Sequence, residues 1–278
     1  RNIAQVFQFP VIYSTMTVYE NLAFPLKCRD FPQNKIDERV NSVSETLNLK
    51  AFLNQPARKL TADQKQLISL GRGLVREDVA AVLMDEPLTV IDPDLKFRLR
   101  RNLKEINEKY KTTLVYVTHD QNEAMTFADN IIVMSEGEVV QTGTPKDLFE
   151  RPNTTFVGYF IGSPAMNLFE TEAVSQSEVK IGSVKIKTST DLSKIKNKKI
   201  KLGIRSEFID VIEKEGENTV KAKVKKIEDF GNFKLLTAVA ENFIIKSKID
   251  REKPISDGEI NLHIPAEKCC VYENEKLI

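Results

Sequence analysis

Apolar positions in the first 161 residues follow two rhythms. Continuous apolar runs lie at 79–84 (VAAVLM) and within 112–118 (TTLVYVT), too short to cross a membrane and rich in Val. They read as strands buried on both faces, as in a parallel sheet with helices packed on each side. Elsewhere the spacing is helical: Ile36, Val40, Val43 and Leu47, then Leu95, Leu99, Leu103 and Ile106. Residues 1–8 alternate loosely, and a helix starts near Val18. Residues 68–76 continue a helix opened at Leu60–Gln64. Asp92 before Pro93 reads as an N-cap and first helical position, and Asp120 caps the helix containing Glu123. A strand-turn-strand with Gly137 in the turn covers 130–142, a short helix begun by Pro145 follows, and 156–161 packs back. Gly162-Ser163-Pro164 then marks a boundary. Beyond it come short alternating strands at 179–187, 200–204, 220–227, 235–239, 243–248 and 260–264, which suggest a small barrel. The pattern predicts an α/β domain over 1–161 and a small all-β domain of the OB kind over 162–278.

The run at 79–84 ends in Asp85 and Glu86, followed by Pro87, which cannot continue a ladder. Acids at the carboxyl end of a buried strand sit where open α/β sheets place their ligands. Two like charges buried side by side call for a cation or a polarised water. Asp85 suits Mg²⁺, which takes one or two carboxylates plus phosphate oxygens. Glu86 is placed to orient a water toward a terminal phosphate. From these two acids alone, a strand end with solvated carboxylates serves as well. The second strand delivers His119, one of two histidines, to the same end of a parallel sheet.

Four stretches stand in a telling order: VFQ at 6–8, LTADQ at 60–64, MDEPLTVID at 84–92 and VTHDQNEAM at 117–125. Together they resemble the Q-loop, signature motif, Walker B strand with D-loop, and switch region of an ATP-binding-cassette (ABC) ATPase. The junction FIGSPAMNLFE at 160–170 and LGIRSEFIDV at 202–211, with Ser206 where the family motif has Pro, narrow the resemblance. They are similar to the ATPase subunit of bacterial sugar and glycerol-phosphate importers, and the likeness runs over nearly the whole chain. It implies a partial ABC nucleotide-binding domain, a parallel sheet with a helical subdomain, followed by the OB-like domain. By the same resemblance the cofactors are ATP and Mg²⁺. Asp85 and Gln8 serve the metal, Glu86 is the catalytic base, and Gln8 and His119 sense the γ-phosphate. Leu60, Thr61, Ala62, Asp63 and Gln64 face the nucleotide of a partner subunit, and Asp92 contributes to that contact. The implied partners are transmembrane permease subunits and a second ABC ATPase, in a heterodimer or otherwise a homodimer. An extracytoplasmic substrate-binding protein is engaged indirectly. The implied location is cytoplasmic, peripheral on the inner face of the cell membrane.

The departures from the family pattern matter as much. The chain contains no G-x-x-x-x-G-K-[ST], so by resemblance the P-loop arm that cradles phosphates lies upstream of Arg1, and the chain as given is expected to be inactive. In the signature motif Ser becomes Thr61, which keeps a hydroxyl, and the two glycines become Ala62 and Asp63. Ala62 adds a Cβ where backbone should approach phosphate. Asp63, if turned toward a phosphate at roughly 5 Å and an effective dielectric near 20, meets about 3 kcal/mol of repulsion per charge pair. Turned to solvent, it is screened. The segment YSTMTVYENLAF at 13–24 is by resemblance the groove for a coupling helix of the permease. Val11, Ile12, Tyr13, Met16, Val18 and Tyr19 serve equally well as core.

Charge adds only exclusions. With 41 Lys and Arg against 40 Asp and Glu, the chain has no overall pull toward nucleic acid or anionic lipid. The basic stretch 194–201 has no interleaved aromatics and reads as a solvated hairpin, so no nucleic-acid partner is expected. Cys28, Cys269 and Cys270 lack metal or disulfide spacing, and the vicinal pair reads as a reduced filler. Two rival readings stay in view: a non-catalytic scaffold paired with an active ATPase, and a soluble cassette ATPase acting on DNA or ribosomes, against which the tail and junction speak.

Overall fold

In the computed structural model, which describes residues 2–196, 199–256 and 258–278, contacts divide the chain into two compact units, Arg1–Phe127 and Ala128–Ile278. The first contains β1 (Ile3–Val6), α1 (Val18–Lys27), α2 (Gln33–Thr46), α3 (Ala62–Leu74), β2 (Ala81–Asp85), α4 (Pro93–Tyr110), β3 (Thr113–Val117) and α5 (Gln121–Phe127). The three strands pair in parallel in the order β1-β2-β3. Strand register puts Ala4, Val82 and Leu114 in one row and Val6, Met84 and Tyr116 in the next. These two rows face the core, which the apolar stripes of the helices complete. Ile36, Val40, Val43 and Leu47 are buried as their spacing predicts, as are Leu99 and Leu103, with Leu95 partly so; the side chain of Ile106 lies outside the described residues.

Burial on both faces of the sheet is not observed. Val115 and Val117 are 45% and 54% exposed, and Ile3 of β1 is exposed as well. The core takes in only the Val82–Met84 side of the pleat, so alternate residues of β3 look away from it. Helix α3 packs closely on the covered side. At Gly73 a Cβ would come within 2.8 Å of Val6 Cγ2 and 3.6 Å of Val82 Cγ1, so only glycine permits this approach. The carboxyl end of α3 is closed by Arg39 of α2, which donates to the carbonyls of Leu74 at 3.0 Å and Val75 at 3.1 Å. A cation there also suits the negative end of the helix.

The second unit opens with the hairpin β4 (Ile131–Ser135) and β5 (Glu138–Gly143), then α6 (Pro145–Glu150) and α7 (Thr155–Phe160). The strands that follow are β6 (Asn167–Ala173), β7 (Glu178–Ile181), β8 (Val184–Lys187), β9 (Lys199–Ile204), β10 (Asp210–Ile212), β11 (Thr219–Asp229), β12 (Phe233–Ala240), β13 (Phe243–Asp250), β14 (Glu259–His263), β15 (Cys270–Glu273) and β16 (Lys276–Leu277). They form a six-stranded sheet, β16-β15-β9-β6-β7-β8, and a five-stranded sheet, β10-β14-β11-β12-β13. All of their pairings among the described residues are antiparallel, around one main apolar cluster. The stretch 179–187, expected as one strand, is a hairpin turned at Gly182, whose φ of +57° suits glycine. In the basic stretch, Lys201 is ion-paired with Glu170 and Glu275, and residues 197 and 198 lie outside the description. Cys269 and Cys270 are buried free thiols, and burial pushes that of Cys269 up to about 12, in keeping with an inert filler.

Contacts group 128–161 with the strands that follow, although the sequence pattern changes at Gly162. One buried tie is Arg205, 1% exposed. Its guanidinium donates to the carbonyls of Phe149 (2.9 Å), Gly158 (2.7 Å), Ile161 and Leu148 (3.5 Å), and lies 4.6 Å over the Phe149 ring. Among the described residues no carboxylate forms an ion pair with it; carbonyl dipoles solvate the charge, Glu207 favours it through space, and burial, the larger effect, lowers its pKa. Removing these donors would orphan several buried carbonyls. Arg205→Met is therefore expected to lower unfolding free energy by about 3 kcal/mol. Urea denaturation measures this, and a loss below about 0.5 kcal/mol would show that the anchor is dispensable.

Candidate active site

Because β1, β2 and β3 run in register, the segments leaving them start at one edge of the sheet. Phe7-Gln8 follows β1, Asp85-Glu86 ends β2, and Thr118-His119 follows β3. Glu86 has φ +41°, the left-handed region that non-glycine residues enter at a cost of about 1–3 kcal/mol. Its N–H donates to Val117 O at 2.9 Å, and Thr89 N–H donates to Glu86 O at 3.3 Å, so both sides of the residue are tied. This conformation brings the carboxylate to its partners. Gln8 Nε2 donates to Oε2 at 3.1 Å and Thr89 Oγ1 donates to the same oxygen at 3.2 Å. His119 Nδ1 lies 2.7 Å from Oε1.

The predicted trio of Gln8, Glu86 and His119 is thus brought together. The expectation of two buried acids is not met: Asp85 is exposed and Glu86 is half-buried, since the pleat ends at the surface there. What holds Glu86 as a carboxylate is chiefly its bond to His119, which with Thr89 lowers its pKa, and the same carboxylate raises that of His119. A charged carboxylate facing an amide, a hydroxyl and an imidazole can orient a water and accept its proton.

Leu60, Thr61, Ala62, Asp63 and Gln64 form a separate feature at the start of α3. Thr61 is the N-cap: its Oγ1 accepts from Gln64 N–H at 3.5 Å, and its N–H donates to Gln64 Oε1 at 3.1 Å. The Thr61 hydroxyl donates to the Asp63 carboxylate, and Leu60 is buried. Asp92 is an N-cap, accepting from Asp94 N–H at 3.0 Å. Of the 11–19 segment, Val18 is core, whereas Val11 and Tyr13 are exposed.

Two contributors were missed in the sequence. Thr89 lies one turn beyond Glu86, and a hydroxyl at that distance from an acid was the available signal. Glu123, 4% exposed, accepts from Tyr116 OH at 2.9 Å and Thr118 Oγ1 at 3.1 Å, and pairs with Arg100 at 3.6 Å and Lys96 at 3.7 Å. It fixes the strand end that presents His119. Its only sequence signal was an acid in the first turn after the Asp120 cap, whose Oδ1 accepts from Asn122 N–H at 2.8 Å.

Comparison with known proteins bears on this arrangement. The profile described as "ABC transporter" matches residues 1–89, and that described as "MalK OB fold domain" matches 162–209. The chain belongs to the ABC transporter ATP-binding protein family. Within it, three similar relatives are named for import of sugars or of a glycerol phosphate. The "Oligosaccharides import ATP-binding protein MsmX" of Bacillus subtilis is 38% identical over 269 residues, 93% of this chain and 73% of the relative. The "Trehalose/maltose import ATP-binding protein MalK" of Thermococcus litoralis is 35% identical over 98% of this chain and 76% of its own length. The "sn-glycerol-3-phosphate import ATP-binding protein UgpC" of Brucella abortus is 46% identical over 62% of this chain and 48% of its own. The family binds ATP. No helix among the described residues is long and apolar enough to cross a membrane.

The Glu86–His119 bond makes a signed prediction. Glu86→Gln removes the negative charge that favours the imidazolium, so the His119 titration midpoint should fall toward its ordinary value of about 6.5. Histidine-ring NMR reads this directly, with His263 as internal reference. An unchanged His119 midpoint would mean that the pair does not form in solution.

Proposed function

We propose that this chain is the ATP-hydrolysing subunit energising an importer of sugars or sugar and glycerol phosphates, working with transmembrane permease subunits at the inner face of the membrane. The observation that carries the reading is the convergence of Gln8 and His119 on the Glu86 carboxylate. Glu86 accepts the proton of the attacking water. His119, bonded to the other oxygen, fixes the carboxylate's orientation and reports the γ-phosphate. Gln8 spans from Glu86 to the metal side, since its amide nitrogen is committed to Glu86 and its oxygen suits a hard cation. Asp85, exposed beside it, supplies a carboxylate. Among the described residues no cluster of three or more His, Cys, Asp or Glu is disposed to hold a metal. Mg²⁺, which takes few protein ligands, would be held by Asp85 and Gln8 and would supply charge neutralisation at the phosphates. An extracytoplasmic binding protein would deliver the substrate.

Residues 1–278 contain no phosphate-cradling motif, so this chain alone is expected neither to bind ATP at micromolar affinity nor to turn it over. Isothermal titration and a phosphate-release assay test this, and Glu86-dependent turnover by the isolated chain would refute it. In the transporter assembled in native membranes, Glu86→Gln should reduce hydrolysis by at least ~100-fold while nucleotide-dependent closure persists. Wild-type turnover by that variant would remove Glu86 as the base and favour the scaffold reading.

The signature segment supports a finer reading. Thr61 spends its hydroxyl proton on Asp63, so the group that would meet a partner's γ-phosphate is engaged by a negative side chain of its own helix. In a homodimer both nucleotide sites would meet this segment. In a heterodimer with a second ABC ATPase only one would, and the site holding Glu86 would face the partner's motif. We favour the heterodimer, with one hydrolytic and one degenerate site. Ala62→Gly with Asp63→Gly should add hydrolysis at the second site, measured in purified transporter with the first site blocked. Purification of a fully active transporter with two copies of this chain would overturn the asymmetry.

A further inference from the structure

Gln66 lies in the second turn of α3 and is 1% exposed. Its Nε2 donates to the carbonyl of Phe7 at 3.1 Å and to that of Pro87 at 3.0 Å. Phe7 precedes Gln8, and Pro87 follows Glu86. The orientation of the carboxamide is dictated, because two carbonyls can only accept and its NH₂ is the end that donates. The other end, Oε1, is buried with no partner among the described residues. An unpaired buried acceptor is destabilising, and Leu or Met would fill the same volume without one. The two donors therefore account for the residue.

The same face of α3 extends the grip. Ser69 Oγ accepts from Val11 N–H at 3.2 Å, and Arg72 Nη1 donates to Val11 O at 2.8 Å. Residues 66, 69 and 72 recur at the spacing that keeps side chains on one face of a helix. α3 thus holds the Gln8 segment on both sides, and through Gln66 it also holds the segment containing Glu86.

We propose that Gln66 is a positioning residue: its carboxamide ties the backbone beside Gln8 to the backbone beside Glu86, and it carries displacements of α3 to both. The helix begins at the Thr61–Gln64 segment, so movement imposed there reaches the water-orienting pair through one amide. This role rests on the hydrolytic reading of Gln8, Glu86 and His119, but its test is geometric and needs no nucleotide.

The test uses the 278-residue chain with ¹⁵N-labelled histidine. In the wild type, the His119 Nδ1 resonance reports its bond to Glu86, and Glu86→Gln defines the signal without it. Gln66→Met keeps the volume and loses both donors. It should move the His119 resonance at least halfway to the Glu86→Gln position and leave His263 unmoved. Gln66→Glu, whose carboxylate cannot donate to two carbonyls, should do the same and serves if the Met variant fails to fold. In the wild type labelled instead with ¹⁵N-glutamine, both Gln66 carboxamide protons should exchange slowly. A folded Gln66→Met chain with an unmoved His119 resonance would overturn the proposal, as would fast exchange of those protons. Intact coupling with no ATP turnover in the assembled transporter would instead count against the hydrolytic reading and leave the positioning role standing.

Discussion

Close packing of α3 against the covered face of the three-stranded sheet is the contact on which the first unit depends. At Gly73 the helix backbone comes near enough to Val6 and Val82 that a single added carbon would collide with Val6. Leu67, Ile68, Leu70 and Leu74 are buried along the same helix, each contributing about 1.5–3 kcal/mol when removed from water. That proximity lets short side chains such as Ser69 reach the backbone beyond β1. A helix held further away would leave those backbone groups without partners.

The site inherits its geometry from the register of the sheet. Parallel strands that end together release three loops at one edge, and Glu86, in a left-handed backbone conformation, turns its carboxylate toward the other two. The electrostatics follow from partners more than from burial. Glu86 is half-buried and His119 exposed, yet each alters the proton affinity of the other because they are bonded. Such a pair can respond to an approaching phosphate, since an added negative charge near an exposed imidazole changes the balance between them.

Much of this was legible in the sequence. Helical spacing located the buried faces of α2 and α4, and Asp92 with Pro93 marked a helix start through the chemistry of capping. The trio at the site was legible because each member follows a strand, and motif order supplied the rest. Exposure of Val115 and Val117 was not legible, because an apolar run looks the same whether one face or both are covered. The Gly182 hairpin was missed because its two strands are short and share one alternation across the turn. Gln66 acts through contacts far from its own segment, and a single chain's pattern carries no trace of such pairings, while Glu123 gave only the weak signal of an acid in a helix's first turn.

The parallel pairing of β1 also constrains the order in which the chain can assemble. Ile3 sits opposite Ala81, and Ala81 opposite Thr113, so the first strand has no described neighbour until the central one has been made. During synthesis at about 5–20 residues per second, β1 waits several seconds for β2, the described strand with which it pairs. Helices α1 to α3 precede β2 and can associate with one another first, through Leu22, Val43, Leu47 and Leu70. The loops that carry Gln8, Glu86 and His119 share one edge only once all three strands are paired. Long-range closure of this kind is slow relative to local helix formation. A ribosome-bound chain halted before β2 therefore lacks the described strand partner of Ala4 and Val6, and α3, which packs on Val6, is the described element already made that can cover them.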